Sequence, residues 1–146
     1  MDNNKPKVLV SDDESIARYV RNWLNTYDGK PQSLDTYYEY LNKTKGLAVS
    51  TIQAAYKVKQ YITGGYMAQY QFEILYRLIA SNDEERLAAD EMLNAFGEWA
   101  ETNIPELPDG VTRWKVRRDT NASLLVRYDN NAEDHTIQMT LTYEVI

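Results

Sequence analysis

The second half of the chain, residues 64–146, constrains the fold most strongly, because it places one acidic amphipathic helix between a tyrosine-rich strand and a set of alternating strands. The first strand is predicted at about residues 66–80, where apolar and polar side chains alternate with the period of two that a strand requires. The helix follows residues 81–85, which supply a cap and acidic side chains at the positive end of the helix dipole. This order of elements predicts a helix laid across an antiparallel sheet.

Three further strands are predicted after the helix, at residues 111–118, 123–128 and 135–146. The last of them alternates regularly, so one set of its side chains should face a core and the other set should face away. The inward set is Ile137, Met139, Leu141, Tyr143 and Val145. The helix carries a matching apolar stripe at helical spacing, namely Ala89, Met92, Leu93, Phe96, Trp99 and Ala100.

The N-terminal part of the chain predicts another amphipathic helix. Ser11 and Glu14 have the spacing of a capping box, in which each side chain satisfies a free backbone N–H. Apolar side chains follow on one helical face up to Tyr27. The helix is expected to stop at residues 28–31, where a glycine and a proline favour termination.

Strand character returns at residues 47–52 and 55–62, whereas residues 33–45 suit a helix, a strand or a shaped loop. The predicted fold class is α+β, with an antiparallel or mixed sheet and two main amphipathic helices packed on one of its faces. Residues 1–10 are predicted to be a flexible segment, and residues 11–146 a single α+β domain.

Composition excludes several classes of site. The chain has no cysteine, so disulfides, zinc–thiolate centres and thiol nucleophiles are excluded, and its single histidine rules out an all-histidine metal site within one subunit. The sequence shows neither a membrane-length apolar run nor a secretion signal, so we expect intracellular synthesis. A net charge of -6, from 22 acids and 16 bases, argues against dominant binding to phosphate backbones.

The 12 tyrosines are an unusual feature of the composition. Tyrosine combines apolar area with a polar tip, which suits protein interfaces and half-buried sheets. Both interpretations stay open.

Two motifs near turns resemble nucleotide or phosphate sites but have simpler explanations. Residues 7–14 resemble the start of a receiver domain, yet residues 47–52 contain no phosphoacceptor aspartate, and helix capping explains the same residues. Residues 63–65 contain two glycines, but no helix with Lys-Ser/Thr follows, so we expect a turn between strands.

Residues 129–134 gather oxygen ligands that could hold calcium, but they lack the spacing and the glycine of an EF-hand, so a hairpin tip is favoured. The basic residues Arg113, Lys115, Arg117 and Arg118 are too few for a nucleic-acid footprint. We expect them to pair with the acidic segment 83–109, within a subunit or between neighbours. His135 is predicted to be a strand-edge histidine, and no catalytic, cofactor or metal site is predicted.

The order of elements resembles the small minor capsid or tail terminator proteins of long-tailed bacteriophages, which belong to the head–tail joining proteins. Residues 64–77 resemble the family's glycine turn and long aromatic strand. Residues 83–99 resemble the helix that follows, and residues 137–145 resemble its terminal strand.

The resemblance implies a non-enzymatic structural protein that forms a ring, with six subunits expected, at the head–tail junction of the virion. It would be made in the host bacterial cytoplasm, and its partners would be further copies of itself, the tail tube protein and the head connector or completion protein. DNA would pass through an acidic or neutral lumen without specific binding, and no membrane or cofactor would be involved.

Several surface residues are candidates for these protein contacts: Gly64, Gly65, Tyr66, Arg113, Lys115, Arg117, Asp129, Asn130 and Asn131. The alternative function is a non-catalytic module that binds a small molecule or a peptide with its tyrosine-rich sheet. A ring protein should oligomerise, whereas a binding module should remain monomeric or dimeric.

Overall fold

A computed structural model describes residues 13–30, 36–38, 45–53, 55–107 and 109–146. The predicted flexible segment, residues 1–10, lies outside the described residues, as does Ser11 of the predicted capping box. The two described helices are α1 (Asp13–Leu24) and α2 (Asp83–Thr102). The described strands are β1 (Thr36–Tyr38), β2 (Gly46–Ile52), β3 (Lys57–Gln60), β4 (Tyr66–Ile79), β5 (Val111–Arg118), β6 (Ser123–Arg127) and β7 (Ala132–Val145).

The sheet is built around β4 and β7, which pair antiparallel along their whole length, from Tyr66 opposite Val145 to Ile79 opposite Ala132. The other side of β4 is shared by β2 and β3, and the other side of β7 is shared by β5 and β6. Only β1, which pairs with β2, adds a parallel strand to the described sheet. The predicted α+β class and mixed sheet are therefore confirmed.

The two central strands turn their apolar side chains to the face that carries the helices. On β4 every second residue from Tyr66 to Leu78 is buried. The register places these residues opposite the predicted inward set of β7, from Ile137 to Val145, which is also buried. The predicted alternation is therefore confirmed for both strands.

Helix α1 begins within the predicted segment and ends at Leu24, three residues earlier than its apolar pattern suggested. A tight turn follows the helix, in which the backbone N–H groups of Thr26 and Tyr27 donate hydrogen bonds to carbonyls three residues earlier in the chain. Tyr27 nevertheless packs on the core, with its ring 4.4 Å from that of Phe96.

Helix α2 begins as predicted. The side chain of Asn82 accepts a hydrogen bond from the backbone N–H of Glu85, and the Glu85 carboxylate accepts one from the N–H of Ser81. The buried positions of α2 are Ala89, Leu93, Phe96, Gly97 and Ala100, so its predicted apolar stripe faces the sheet. Among the described residues, no helix is long and apolar enough to cross a bilayer.

All three tryptophans meet in one aromatic cluster. The Trp23 ring of α1 stacks on Trp99 of α2 at 5.7 Å and meets Trp114 of β5 edge-on at 5.5 Å. The indole N–H of Trp23 donates to the carbonyl of Asn103 at 2.9 Å. The cluster therefore joins both helices to β5.

Candidate functional site

The predicted turn after β3 is confirmed, and its two glycines have different roles. Gly64 has a φ of +97°, which favours glycine. A Cβ at Gly65 would lie 2.5 Å from the carbonyl oxygen of Val145, so this glycine permits close packing against the end of β7. Tyr66 belongs to the core: its side chain is buried, and its hydroxyl lies 2.8 Å from that of Tyr56.

The basic strand β5 contains a bulge at Arg113, whose φ is 58°. Arg113 Nε donates to Glu144 Oε1 at 3.0 Å. Glu144 also accepts hydrogen bonds from Tyr61 and from Thr112, and these help to lower the pKa of its carboxyl. Because Tyr61 directly precedes the β3–β4 turn, the structure brings Arg113 and Gly64–Gly65 together at one end of the sheet.

Within one subunit, the expected pairing of the basic strand with the acidic helix is mostly wrong, and pairing between neighbouring subunits stays a prediction. Only Arg118 reaches α2 among the four basic residues, with Nε 3.1 Å from the carboxylate of Glu101. Arg117 pairs with Asp119 at 3.0 Å, and Lys115 is exposed opposite Thr142. The error arises because alternation along β5 directs most of these side chains away from the helix-bearing face.

The third candidate region, Asp129–Asn131, forms a tight turn at the opposite end of the sheet. The N–H of Tyr128 donates to the carbonyl of Ala132 at 2.8 Å, and Asn131 adopts a φ of 69°. A strand as long as β4 spans roughly 40 Å, so this turn lies far from Gly64–Gly65. The candidate residues therefore form two groups at the two ends of the sheet.

The hairpin tip is shorter than predicted, because Glu133 and Asp134 belong to β7 and are buried. Asp134 accepts two hydrogen bonds from Arg77, from Nε at 2.7 Å and from Nη2 at 2.9 Å. It also accepts one from the Tyr128 hydroxyl at 2.7 Å, which raises the pKa of that hydroxyl. These bonds occupy Asp134, one of the acidic residues that the sequence suggested as calcium ligands.

Glu133 faces the helices and is held by two arginines. Arg86 Nε lies 2.8 Å and an Arg127 side-chain nitrogen 2.9 Å from Glu133 Oε2. Burial by itself raises the pKa of Glu133, but hydrogen bonds from Arg86, His135 and Arg127 outweigh it and lower the pKa to about 2. This carboxylate therefore joins α2, β6 and β7 through ionic hydrogen bonds.

The prediction of His135 as a strand-edge histidine is wrong. His135 is only 1% exposed, with Nδ1 2.8 Å from Asp90 on α2 and Nε2 3.1 Å from Glu133. A sequence signal was available, because the period of two that places Ile137 inward also places His135 and Glu133 inward. Among the described residues, no group of three or more histidine or acidic side chains is placed to hold a metal ion.

An exposed apolar edge at β6 was missed by the sequence reasoning. All five residues of β6 are exposed, and its three apolar side chains are Leu124 at 44%, Leu125 at 54% and Val126 at 36%. Within the described sheet, β6 pairs with β7 alone. The available signal was three consecutive apolar residues, which an alternating strand cannot all turn inward.

A second exposed edge lies at β3, all four residues of which are exposed. Val58 is 54% exposed, and Ile62 in the following turn is fully exposed. β3 pairs with the start of β4, whereas β6 pairs with the start of β7. Because β4 and β7 are antiparallel, β3 and β6 occupy opposite corners of the sheet.

A surface groove of about 630 Å³ lies where β2 ends and β3 begins. Its lining includes Thr51, Gln53, Tyr56, Gln69 and Tyr70. The hydroxyls of Thr51 and Tyr70 are 2.8 Å apart, so polar groups converge at this place.

Comparisons with known proteins give no family for this chain. No family model matches it, and no curated protein matches it. One solved structure, of a protein known by a sequence identifier alone, aligns with 92% of this chain and 94% of its own length, at 19% identity and a TM-score of 0.41. A similarity of this degree supports no argument about function.

Proposed function

We propose that this chain is a structural protein that assembles as a ring at the head–tail junction of a long-tailed bacteriophage, where it caps the tail tube and meets the head connector. The observation that carries the proposal is the presence of two exposed strand edges at opposite corners of one sheet, β6 with three exposed apolar side chains and β3 with the exposed Val58. Contacts between unlike surfaces of identical subunits generate rings when the rotation closes. The phage context comes from the resemblance in the order of elements.

The two groups of candidate contact residues suit a protein that lies between two partners. Gly64–Gly65 and Arg113 lie at one end of the sheet, and Asp129–Asn131 lies roughly 40 Å away at the other. In this proposal one end meets the tail tube and the other meets the connector. Lys115 and Arg117 on β5 would extend the first of these surfaces.

The charge of the chain fits a ring through which DNA moves. A net charge of -6 disfavours adhesion of phosphates to the ring, whereas a basic wall would hold them. The protein would act through contacts alone, in the virion, after synthesis in the host cytoplasm.

The test is negative-stain electron microscopy of purified protein over a range of concentrations, with mass from light scattering on the same samples. Rings with a hole as wide as a DNA duplex are expected, either free or at the ends of added tail tubes. Protein that stays monomeric and does not bind tube ends would exclude the proposal. Alanine substitutions at Asp129–Asn131 that leave tube and connector binding unchanged would remove that turn from the contact surface.

A second candidate function is a module that binds a small molecule or a peptide, and the groove between β2 and β3 favours it. The tyrosine-rich face of the sheet does not, because the side chains of Tyr66, Tyr70, Tyr76 and Tyr143 are buried. A monomer that binds a ligand in this groove, with loss of binding on Gln69→Ala, would support this alternative.

A further inference from the structure

We propose that successive copies of this chain associate through unlike edges, with β6 of one copy contacting β3 of the next. The inference rests on the proposed function, since it names the subunit contact of the ring.

The apolar part of the contact would come from Leu124–Val126 on β6 and from Val58 and Ile62 at β3. Leu125 and Val58 are equally exposed, at 54% each. Each side chain stands at a break in the strand register, between Leu124 and Val126 in β6 and between Lys57 and Lys59 in β3. Because a bulge interrupts the hydrogen-bonding ladder, we infer contact through side chains instead of an added strand.

The surroundings of the two edges differ in charge. β3 is basic, whereas the helix flank beside β6 is acidic, and the one cation of β6, Arg127, is paired with Glu133. Val58 lies between Lys57 and Lys59, and within the described part of the chain neither lysine forms an ion pair. The flank of α2 that faces β6 is identified by Asp90, which binds His135, and by Asn94, which accepts a hydrogen bond from the N–H of Ala122. Seven residues lie within the same arc of about 100° on this helix, namely Asp83, Leu87, Asp90, Glu91, Asn94, Glu98 and Glu101.

Charge therefore favours the unlike contact over the two like ones. Two β3 edges would bring four lysines together, and two β6 edges would bring two acidic helix flanks together. A β6 edge against a β3 edge places lysines beside carboxylates around an apolar centre. Because the edges occupy opposite corners, one copy can contact two neighbours at once.

One charged substitution in each edge tests the contact. Leu125→Lys should raise the dissociation constant of the oligomer by about tenfold or more, because it removes apolar burial from the contact. Val58→Asp should weaken association similarly, because it puts a carboxylate against the acidic flank. The matched control is Ile104→Lys, an exposed apolar residue in the loop after α2, which should leave the dissociation constant unchanged. Sedimentation velocity gives the constants, and circular dichroism checks folding.

Cysteine cross-linking identifies which edges meet, and the absence of native cysteine restricts the reaction to the introduced thiols. A mixture of Val58→Cys chains and Leu125→Cys chains of different mass should yield the mixed dimer on oxidation, whereas neither variant alone should cross-link. The chain with both substitutions should yield a ladder of covalent oligomers.

Three other outcomes overturn the inference, and a fourth separates it from the phage role. Cross-linking of Leu125→Cys chains alone would show a twofold contact between β6 edges. Oligomers that persist in Leu125→Lys would show that other surfaces associate, and the ring proposal would survive. Wild-type protein that stays monomeric at every concentration would exclude the contact, and binding to tail tubes would then decide the proposed function separately. Mixed cross-links without tube binding would support the contact and count against the phage role.

Discussion

The imidazole of His135 and the carboxylate of Glu133, two positions apart on β7, lie 3.1 Å apart on the helix-facing side of the sheet. The other ring nitrogen of His135 faces Asp90. Each ring nitrogen of His135 therefore faces a carboxylate, a group that only accepts hydrogen bonds when it is ionised. A charged network thus lies where α2 crosses β7, next to an otherwise apolar core.

We expect Glu133→Gln to destabilise the fold at pH 7 by about 1–3 kcal/mol, because it leaves Arg86, Arg127 and His135 without their shared carboxylate. This loss of stability is smaller than the loss expected for a fully buried ion pair, because both arginines are partly exposed and water screens their charges. Urea unfolding measures the change. Glu98→Gln, the same substitution at an exposed position of α2, should stay within about 0.5 kcal/mol of wild type.

Glu133→Gln should also change how the stability of the fold responds to acid. The pKa of Glu133 is lowered from 4.5 to about 2 in the folded chain, so the folded state holds its charged form more tightly than the unfolded state does. Its stabilising effect is complete above pH 4.5 and is lost as the pH falls towards 2. The stability of Glu133→Gln should therefore fall less steeply over this range than that of wild type. Equal slopes in thermal unfolding from pH 5 to pH 2 would contradict the assignment.

Arg77→Lys should cost about 1–3 kcal/mol, because lysine cannot reproduce the two parallel hydrogen bonds to Asp134. Arg117→Lys is the matched control. Arg117 pairs with Asp119 but its side chain is 60% exposed, so we expect a change within about 0.5 kcal/mol. Chemical unfolding measures both variants. If they lose similar stability, the buried pair Arg77–Asp134 contributes no more than the exposed pair Arg117–Asp119.

Gly65→Ala should destabilise the protein by about 1–3 kcal/mol, because the new methyl group would meet the carbonyl of Val145, a backbone atom that cannot move aside cheaply. Gly97→Ala in α2 is the comparison. Its nearest contacts are the middle of the Arg118 side chain at 2.6 Å and the terminal methyl of Ile137 at 2.9 Å, side-chain atoms that shift more readily than a backbone carbonyl. Alanine also gains about 1 kcal/mol of helix propensity. Thermal unfolding should give Gly65→Ala the lower melting temperature of the two variants. A lower melting temperature for Gly97→Ala would contradict this expectation.

Trp23→Ala should cost about 3–5 kcal/mol, since it removes the ring that contacts both Trp99 and Trp114. Trp23→Phe should recover part of this loss through ring packing, although it lacks the N–H that donates to Asn103. Denaturant unfolding followed by circular dichroism measures both. If the two variants lose equal stability, the hydrogen bond and not the packing holds α1 in place.

The fold was predictable where side-chain periodicity is strong. The alternation of β4, the inward set of β7 and the cap of α2 all identify elements that the structure contains. The start of β7 was missed because Glu133 and Asp134 are polar types, and the burial of His135 was missed because it too depends on long-range partners. The partners Arg77, Arg86 and Asp90 are distant in sequence from the start of β7, so no local sequence pattern predicts these pairs.

The surface was less predictable than the core. The basic residues of β5 seemed suited to the acidic helix by charge alone, but the direction of each side chain is set by the strand and by the bulge at Arg113. Leu124–Val126 were taken as an ordinary strand, because exposure of an edge depends on which strands flank it. The order of strands in the sheet decides whether β6 is exposed, and the periodicity of the sequence does not give that order.

The position of β7 has a consequence for how the chain folds. β7 follows every other described element in sequence, yet it occupies the centre of the sheet beside β4. A growing chain therefore carries the apolar side of β4 without its main partner until α2, β5 and β6 have all been made and looped out. Such long-range pairing slows folding and leaves the newly made chain open to aggregation, so we expect its yield in cells to depend on chaperones.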